Sequence, residues 1–394
     1  MSKYPLALSS WGEEEIQAIQ NVVDSDMYSM GKHVQEFEEQ FSRYLGAKYC
    51  VMVNSGSSAN LLAVATLFYM EENPLKKGDE VIVPAVSWST TYYPLHQYGL
   101  KLKFVDIDLE TLNFNLSALQ QAVSDQTKLI LAVNLLGNPN QFDEIQEIIA
   151  GKNITLIEDN CESMGATFNG KQCGTFGVLG TFSTFFSHHM STMEGGLVVT
   201  DDEELYHIML SVRSHGWTRH LPKKNLVTGI KCDNTFKESF KFVLPGYNLR
   251  PIEMSGAIGI EQLKKLPGFV EQRRENAKYF FEKMSEFGDL IFQQEIGKSS
   301  WFGYSILTKP DSHITRDDLV SHLIQNDIDC RPIVSGNFVK NPVMKYIEYE
   351  VYGDLRNAEY IDEHGFFVGN HHIEMTEHID YLAETVKTLF TKRF

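Results

Sequence analysis

The chain has 394 residues, which at ~150 residues per domain allows two or three domains and a large buried core. Hydrophobic residues make up 43% of it and charged residues 22%, the composition of a globular protein, so a disordered, fibrous or disulfide-stapled small chain is excluded. The net charge of −17 would repel a polyanion, and nucleic acid is therefore not expected as a partner.

The cysteines and the apolar segments exclude further classes of protein. No two cysteines have the close spacing of metal ligands, and their number is odd, so we expect reduced thiols and no metal site. No window approaches the ~18 consecutive apolar residues that a membrane helix needs. The sequence therefore predicts a cytoplasmic location without membrane contact. The cysteines are Cys50, Cys161, Cys173, Cys232 and Cys330.

Two helices are predicted before the first strand. Ser10 and Glu13 fit a capping box at the start of the first helix. The second helix is expected to end at Gly46. Their apolar positions are Ile16, Ile19, Val22 and Val23 in the first, and Val34, Phe37, Phe41 and Leu45 in the second.

Short apolar runs then alternate with segments of helix length. This pattern predicts an α/β fold in which helices cover both faces of a large, mostly parallel sheet. The runs span residues 51–53, 81–83, 104–105, 129–133, 154–157 and 197–199.

The pattern changes after about residue 246. Pro251 is expected to open one helix, and a longer helix is predicted from Val270 to Met284. Later strands and helices predict a small C-terminal α+β domain. The proposed division is an N-terminal segment and large α/β domain over 1–250, bridging helices over 251–288 and the small domain over 289–394. The elements of the small domain are strands near 302–307 and 366–368, a helix capped by Thr315 and a final helix from Glu374.

A turn of small residues, 54–60, follows the first apolar run and precedes a predicted helix. Small residues such as Gly56 and Ser57 let backbone N–H groups approach a phosphate, and the helix N-terminus adds favourable partial charge. A Ser-rich turn of this kind also fits a simple helix cap. The residues alone leave both interpretations open.

Asp159 and Trp88 could contact a heteroaromatic ring. Asp159 follows a buried apolar run, at the strand end where open α/β sheets bind ligands. It needs a cationic partner, such as a protonated pyridine nitrogen, unless it only caps a following helix. Trp88 could offer a flat face to the ring, although a tryptophan more often fills a core.

The segment 181–196 contains two adjacent histidines, His188 and His189. Adjacent side chains point in different directions on any regular backbone, so these two do not form a chelating pair. One of them could act as a general base, since imidazole titrates near neutral pH. A structural histidine is the alternative.

Several motifs together resemble the sugar-nucleotide aminotransferases that have the aspartate-aminotransferase fold (fold type I) and use pyridoxal phosphate. The resemblance covers essentially the whole chain. It rests on Ser55-Gly56-Ser57, Asp159, the segment 182–186 leading to Glu194-Gly195-Gly196, and Asn248-Leu249-Arg250-Pro251.

The chain departs from this family at one decisive position. In the family, the lysine that binds the cofactor covalently stands six positions before the glutamate of Glu194-Gly195-Gly196. That position holds His188 here, and residues 172–222 contain no lysine. Histidine at this position resembles the dehydrating branch of the family. A related iron–sulfur branch also has it but binds its cluster through closely spaced cysteines, so no cluster is expected here.

The resemblance implies a site and a reaction. Pyridoxal phosphate, or its pyridoxamine form, would bind without a covalent bond. His188 would be the base that removes a proton from the cofactor methylene, and the 3-hydroxyl of a GDP-linked 4-keto-6-deoxy sugar would then be expelled, with glutamate as amine donor. The implied contacts are Gly56, Ser57 and Ser183 for the phosphate, Asp159 for the ring nitrogen, Trp88 for the ring face, Glu162 for the ring hydroxyl, Asn248 from the other chain of a homodimer, and Ser187 and Arg219 for the substrate.

Two alternatives remain at the level of sequence. An aminotransferase could use a lysine from elsewhere in the chain, and a non-catalytic protein could bind the cofactor without turnover. Both are less favoured than the dehydratase, because a base is retained at the position of the missing lysine.

Overall fold

The computed structural model describes residues 2–392. Residue 1 and residues 393–394, which the predicted first and last segments include, lie outside the described residues. The strands are β1 (Tyr49–Val53), β2 (Glu80–Pro84), β3 (Lys101–Val105), β4 (Thr127–Val133), β5 (Thr155–Asp159), β6 (Thr167–Phe168), β7 (Lys171–Gln172), β8 (Leu179–Ser183), β9 (Gly196–Thr200), β10 (Lys224–Asn225), β11 (Gly229–Ile230), β12 (Leu290–Phe292), β13 (Gly303–Thr308), β14 (Cys330–Arg331), β15 (Tyr349–Val351) and β16 (Gly365–Gly369).

Helices account for most of the remaining regular structure. Short 3₁₀ turns lie at Leu135–Gly137, Phe338–Lys340 and Pro342–Tyr346. The α-helices are α1 (Glu13–Ser25), α2 (Lys32–Leu45), α3 (Gly56–Leu67), α4 (Ser89–Gln97), α5 (Leu116–Ala122), α6 (Phe142–Ile149), α7 (Glu203–Val212), α8 (Thr235–Glu238), α9 (Glu253–Met284), α10 (Arg316–Gln325), α11 (Arg356–His364) and α12 (Thr376–Lys392).

An eight-stranded sheet in the order β1-β9-β8-β5-β4-β2-β3-β15 forms the centre of the molecule. Only β9 runs against the other strands, because it pairs antiparallel with both β1 and β8. All six predicted apolar runs lie in this sheet, which confirms the large, mostly parallel sheet. Strand β8 escaped the prediction because Gly180, Thr181 and Ser183 interrupt its apolar pattern, although all of its residues are buried.

The N-terminal helices agree only partly with the prediction. The apolar face of α2 is buried, and Gly46 ends that helix with a φ of 74°. The predicted capping box at Ser10 is wrong: the N-cap of α1 is Gly12, whose N–H donates to the Glu15 carboxylate at 2.7 Å. The Ser10 hydroxyl instead donates to Gln262 of α9 at 2.6 Å.

The segment after residue 250 also differs from the prediction. One continuous helix, α9, replaces the two expected helices, with Pro267 inside it and buried residues on both sides of the proline, such as Leu263 and Val270. The strands β12, β13, β16 and β14 form a separate antiparallel sheet. Strand β15 leaves that region and pairs parallel with β3 at the edge of the large sheet. The predicted division at 250 and 288 stays a prediction.

Within residues 2–392, no helix is long and apolar enough to cross a membrane.

Candidate active site

A cavity of about 340 Å³ opens at one edge of the large sheet. The carboxyl ends of β1, β2, β4, β5 and β8 all lead into it, so side chains that are distant in sequence meet there. This is the edge at which parallel α/β sheets bind their ligands.

The turn between β1 and α3 forms one wall of the cavity. The Ser55 hydroxyl caps α3 by accepting a hydrogen bond from the Ser58 N–H at 3.1 Å. Gly56 lies directly against Ser183: a Cβ atom on Gly56 would come within 2.6 Å of the Ser183 Cβ. Because the first N–H groups of a helix have no partner within it, Gly56, Ser57 and Ser183 together offer donors to an anion in the cavity.

Asp159 ends β5 and is 5% exposed. One carboxylate oxygen accepts hydrogen bonds from the Asn60 amide and from the Thr91 hydroxyl, both at 2.8 Å. The other accepts from the Cys161 N–H at 3.1 Å. No helix begins after β5 before residue 203, so the alternative in which Asp159 caps the next helix is wrong. These donors hold a buried carboxylate at the cavity, where a cation can complete its surroundings.

Glu162 and Trp88 line the same cavity. A carboxylate oxygen of Glu162 accepts from the Leu136 N–H at 3.0 Å, and burial raises the pKa of this carboxyl to about 7. Trp88 precedes α4 and is 58% exposed, so the core interpretation of this tryptophan is wrong. Its indole is available to a flat ligand.

His188 lies in the loop between β8 and β9 and lines the cavity. Its Nδ1 is buried without a hydrogen-bond partner, so the other ring nitrogen, Nε2, is the candidate for contact with a ligand in the cavity. Burial, and secondarily the nearby Arg273 guanidinium, lower the pKa of His188 to about 4, against the opposing effect of the Phe185 backbone. The imidazole is therefore neutral near pH 7, the form that accepts a proton.

His189 is directed away from the cavity. Its side chain is buried, and its Nε2 lies 3.1 Å from the Ser300 carbonyl oxygen. The two adjacent side chains thus point in different directions, as the sequence predicts. Among the described residues, no group of three His, Cys, Asp or Glu side chains is placed to hold a metal ion.

The remaining predicted residues divide into two groups. Ser187 lines the cavity with the residues described so far. Asn248 and Arg219 do not line it and are exposed elsewhere on the chain. The side-chain Oδ1 of Asn248 accepts a hydrogen bond from Arg250 Nε at 2.9 Å, and the Arg219 guanidinium lies 5.2 Å from the centre of the Trp217 ring.

The structure adds functional candidates that sequence reasoning missed. Asn60 lies in the turn 54–60 and Thr91 lies three residues after Trp88, but only their hydrogen bonds to Asp159 identify them as candidates. Phe302 also lines the cavity, although it lies more than 100 residues after His188. No sequence motif surrounds Phe302, so no local signal could have identified it.

The cavity fits pyridoxal phosphate. A helix N-terminus and two hydroxyls can hold the phosphate, the buried Asp159 can pair with a protonated ring nitrogen, and Trp88 can cover a ring face. None of the described residues that line the cavity is a lysine. The unpartnered imidazole of His188 takes the place at which a covalent anchor would be expected from the family pattern.

Comparisons with known proteins agree with this geometry. The model of the DegT/DnrJ/EryC1/StrS aminotransferase family matches residues 9–387. GDP-4-keto-6-deoxy-D-mannose 3-dehydratase of Escherichia coli O55:H7 (strain CB9615 / EPEC) is 62% identical over 98% of this chain and 100% of its own length. The protein of the same name from Yersinia pseudotuberculosis is 59% identical over 98% of this chain and 99% of its own.

A solved structure is similar over nearly the whole chain. It is a crystal structure of GDP-4-keto-6-deoxymannose-3-dehydratase with a trapped PLP-glutamate geminal diamine, and it superposes with a TM-score of 0.96 and 62% identity, covering 97% of this chain and 100% of that one. The aminotransferase fold predicted from the sequence is thereby confirmed.

Proposed function

The chain belongs to the DegT/DnrJ/EryC1/StrS aminotransferase family, and from this premise we propose that it is a pyridoxal-phosphate-dependent enzyme that removes the 3-hydroxyl group of GDP-4-keto-6-deoxymannose. The proteins of 62% and 59% identity carry this activity in their names. The products are a GDP-4-keto-3,6-dideoxy sugar and ammonia.

One observation carries the choice between the alternatives. The neutral imidazole of His188 lines the cavity beside Asp159, and none of the described lining residues is a lysine. An aminotransferase needs an amine that competes for the cofactor, and imidazole cannot form that bond. A purely cofactor-binding protein would not need a base at this position. The retained base therefore favours dehydration.

The residues of the cavity divide the work as follows. When bound, the cofactor would supply an amine that condenses with the 4-keto group of the sugar. Its ring would take up the electron pair released when the cofactor carbon loses a proton, and that pair would then expel the 3-hydroxyl. Gly56, Ser57 and Ser183 hold its phosphate, and Asp159 keeps its ring nitrogen protonated. His188 moves a proton at the cofactor carbon to which the amino group is attached.

Glutamate is the amine donor in this proposal. The similar solved structure contains a PLP-glutamate geminal diamine, which supports glutamate as the compound that restores the amine form of the cofactor. The proposal also places the chain in the cytoplasm, because its five cysteines are free thiols.

The product distribution tests this function. With GDP-4-keto-6-deoxymannose, glutamate and pyridoxal phosphate, we expect ammonia to be released in equal amount to a sugar that lacks the 3-hydroxyl. An ammonia assay and mass spectrometry of the sugar product measure the two. A 4-amino sugar that retains its 3-hydroxyl would establish the aminotransferase instead. Binding of the cofactor with neither product would establish the binding protein.

We further propose a homodimer in which Asn248 contacts the cofactor phosphate of the other chain. Asn248 is exposed, and it does not cap α9, whose N-cap is Ile252 without a side-chain bond. Next to it, the Arg250 guanidinium lies over the Trp217 ring, which contacts further exposed aromatic rings. An apolar surface of this kind is typical of a protein interface. Its exposed aromatic side chains are Phe240 and Phe242.

Replacement of Asn248 tests the shared site. Asn248→Ala should weaken cofactor binding by about 10-fold, because a hydrogen bond to a charged group contributes about 1.5–3 kcal/mol. The size of the dimer should not change. The control is Asn153→Ala, an exposed asparagine in the turn before β5. Equilibrium binding of the cofactor and light scattering measure both quantities; unchanged affinity in a native-size dimer would refute the contact.

A further inference from the structure

No carboxylate, and no polar group from another segment of the described chain, holds the ring of the base. Histidine bases are commonly oriented by a carboxylate or carbonyl group that accepts a hydrogen bond from the second ring nitrogen. The Nδ1 of His188 has no partner with good hydrogen-bond geometry, and the one backbone group that raises its pKa is Phe185 of the same loop. Two aromatic rings lie near the imidazole, with centroid distances of 5.9 Å to Phe185 and 5.3 Å to Phe302.

The two aromatic neighbours of His188 come from different parts of the chain. Phe185 belongs to the same loop, since the His188 N–H donates to the Phe185 carbonyl at 2.9 Å, and it would move with the histidine. Phe302 comes from the segment that enters β13 and also contacts the His189 ring at 5.8 Å. Of these two rings, Phe302 is therefore the one that connects His188 to a segment outside its own loop.

The main chain of Phe302 is anchored on both sides. Its N–H donates to the Leu136 carbonyl at 3.0 Å, and its carbonyl accepts from Arg273 at 3.2 Å. The N–H of the same Leu136 donates to Glu162. Leu136 thus connects Phe302, beside the base, to the Glu162 carboxyl group in the cavity.

Arg273 of α9 is buried, and it holds this segment through backbone oxygens. Its Nη1 donates to the carbonyls of Trp301, Phe302 and Asn370 at 3.4, 3.2 and 2.5 Å. Trp301 has a φ of 45°, which is strained for a residue with a large side chain. A buried cation that binds three carbonyls around a strained residue fixes the backbone from which Phe302 projects.

We propose that Phe302 is a positioning residue for the base His188, and that Arg273 fixes Phe302 by donating a hydrogen bond to the Phe302 carbonyl. The flat ring of Phe302 excludes water from one side of the imidazole and restricts its rotation, so that Nε2 stays directed at the cavity. The inference rests on the proposed function, because it assumes that His188 is the base.

The surroundings of His188 determine the expected pH dependence. Burial, and next the Arg273 charge, lower the pKa of His188 to about 4. The adjacent His189 interacts with it electrostatically. The other titratable groups that line the same cavity are Asp159 at the end of β5, Cys161 and Glu162 after β5, and Glu194. Because the pKa is lowered, the base form persists down to about pH 4. Solvation would raise the pKa toward the usual value of ~6.5, and the base would then be lost as the pH falls through that value.

Substitution of Phe302 in the holoenzyme tests the proposal. Phe302→Ala should lower kcat by ~10-fold or more with little change in KM. The ratio of its kcat to the wild-type kcat should fall further between about pH 7.5 and about pH 5.5, because titration of Glu162 near pH 7 is common to both and cancels in the ratio. Phe302→Tyr keeps the flat ring and should make this ratio level. The control is Phe367→Ala, which removes a ring that packs on Phe302 at 6.5 Å and should also give a level ratio.

A second measurement does not depend on turnover. Neutral imidazole reacts with diethyl pyrocarbonate, and peptide mass spectrometry gives the rate at His188. This rate should be independent of pH over the same range in the wild type and should decline with falling pH in Phe302→Ala. A level rate in Phe302→Ala, or an equal decline in Phe367→Ala, would overturn the proposal. Turnover by a His188→Asn variant would instead overturn the proposed function itself.

Discussion

His188→Asn should bind the cofactor but lose dehydration by ~100-fold or more, the usual contribution of a general base. Asparagine keeps a polar side chain of similar reach and cannot accept a proton at neutral pH. The same loss should appear in the reaction with glutamate, because both half-reactions move a proton at the same cofactor carbon. Single-turnover assays of each half-reaction, with cofactor binding measured by absorbance, give the result.

The adjacent histidine is the matched control for this prediction. The buried His189 side chain faces the Ser300 carbonyl and not the cavity. His189→Asn should therefore lower the free energy of unfolding and change the dehydration rate little. If His189→Asn were inactive and His188→Asn turned over normally, the base would have been assigned to the wrong histidine.

Asp159→Asn should lower kcat by ~100-fold or more and weaken cofactor binding, because it removes the buried charge that keeps the cofactor ring protonated. Asn60 and the Cys161 N–H donate to this side chain. In the variant, the NH₂ group of the asparagine would face one of these N–H donors, so at least one of the hydrogen bonds would also be lost. Cofactor titration and steady-state kinetics measure both effects.

Glu158 provides the control for Asp159. It precedes Asp159 in β5, but it does not line the cavity. Its carboxylate accepts hydrogen bonds from the N–H groups of Gly174, Phe176 and Gly177. Glu158→Gln should lower the free energy of unfolding by about 1–3 kcal/mol and leave the cofactor affinity of the folded protein unchanged. Equal loss of cofactor affinity in both variants would show that Asp159 acts only on the fold.

The sequence predicts the parts of the site that follow strands. Asp159 and the Gly56 turn follow apolar runs, and parallel strands bring their carboxyl ends to one edge, so these residues could be expected to meet. The position of His188 relative to Glu194 needed the family pattern, since a lone histidine does not identify a base. Strand β8, which carries Ser183, escaped because its small polar residues hide a fully buried strand.

Other parts depend on tertiary contacts alone. Phe302 and Arg273 reach the base only because α9 and the segment before β13 pack against the loop of His188. The continuity of α9 through Pro267 could not be read from a residue that usually interrupts helices. Asn248 and Arg219 lie outside the cavity of their own chain, so the structure of one chain does not show the roles that the resemblance implies for them.

Reduction of the resting holoenzyme with borohydride, followed by mass measurement of the intact chain, tests most directly that the cofactor is bound without a covalent bond. The wild-type chain should keep its unmodified mass, because position 188 offers no amine. His188→Lys should gain the mass of the reduced cofactor and should suppress dehydration, which establishes that the method detects the bond. A stable cofactor adduct on any lysine of the wild-type chain would contradict the account and restore the aminotransferase interpretation.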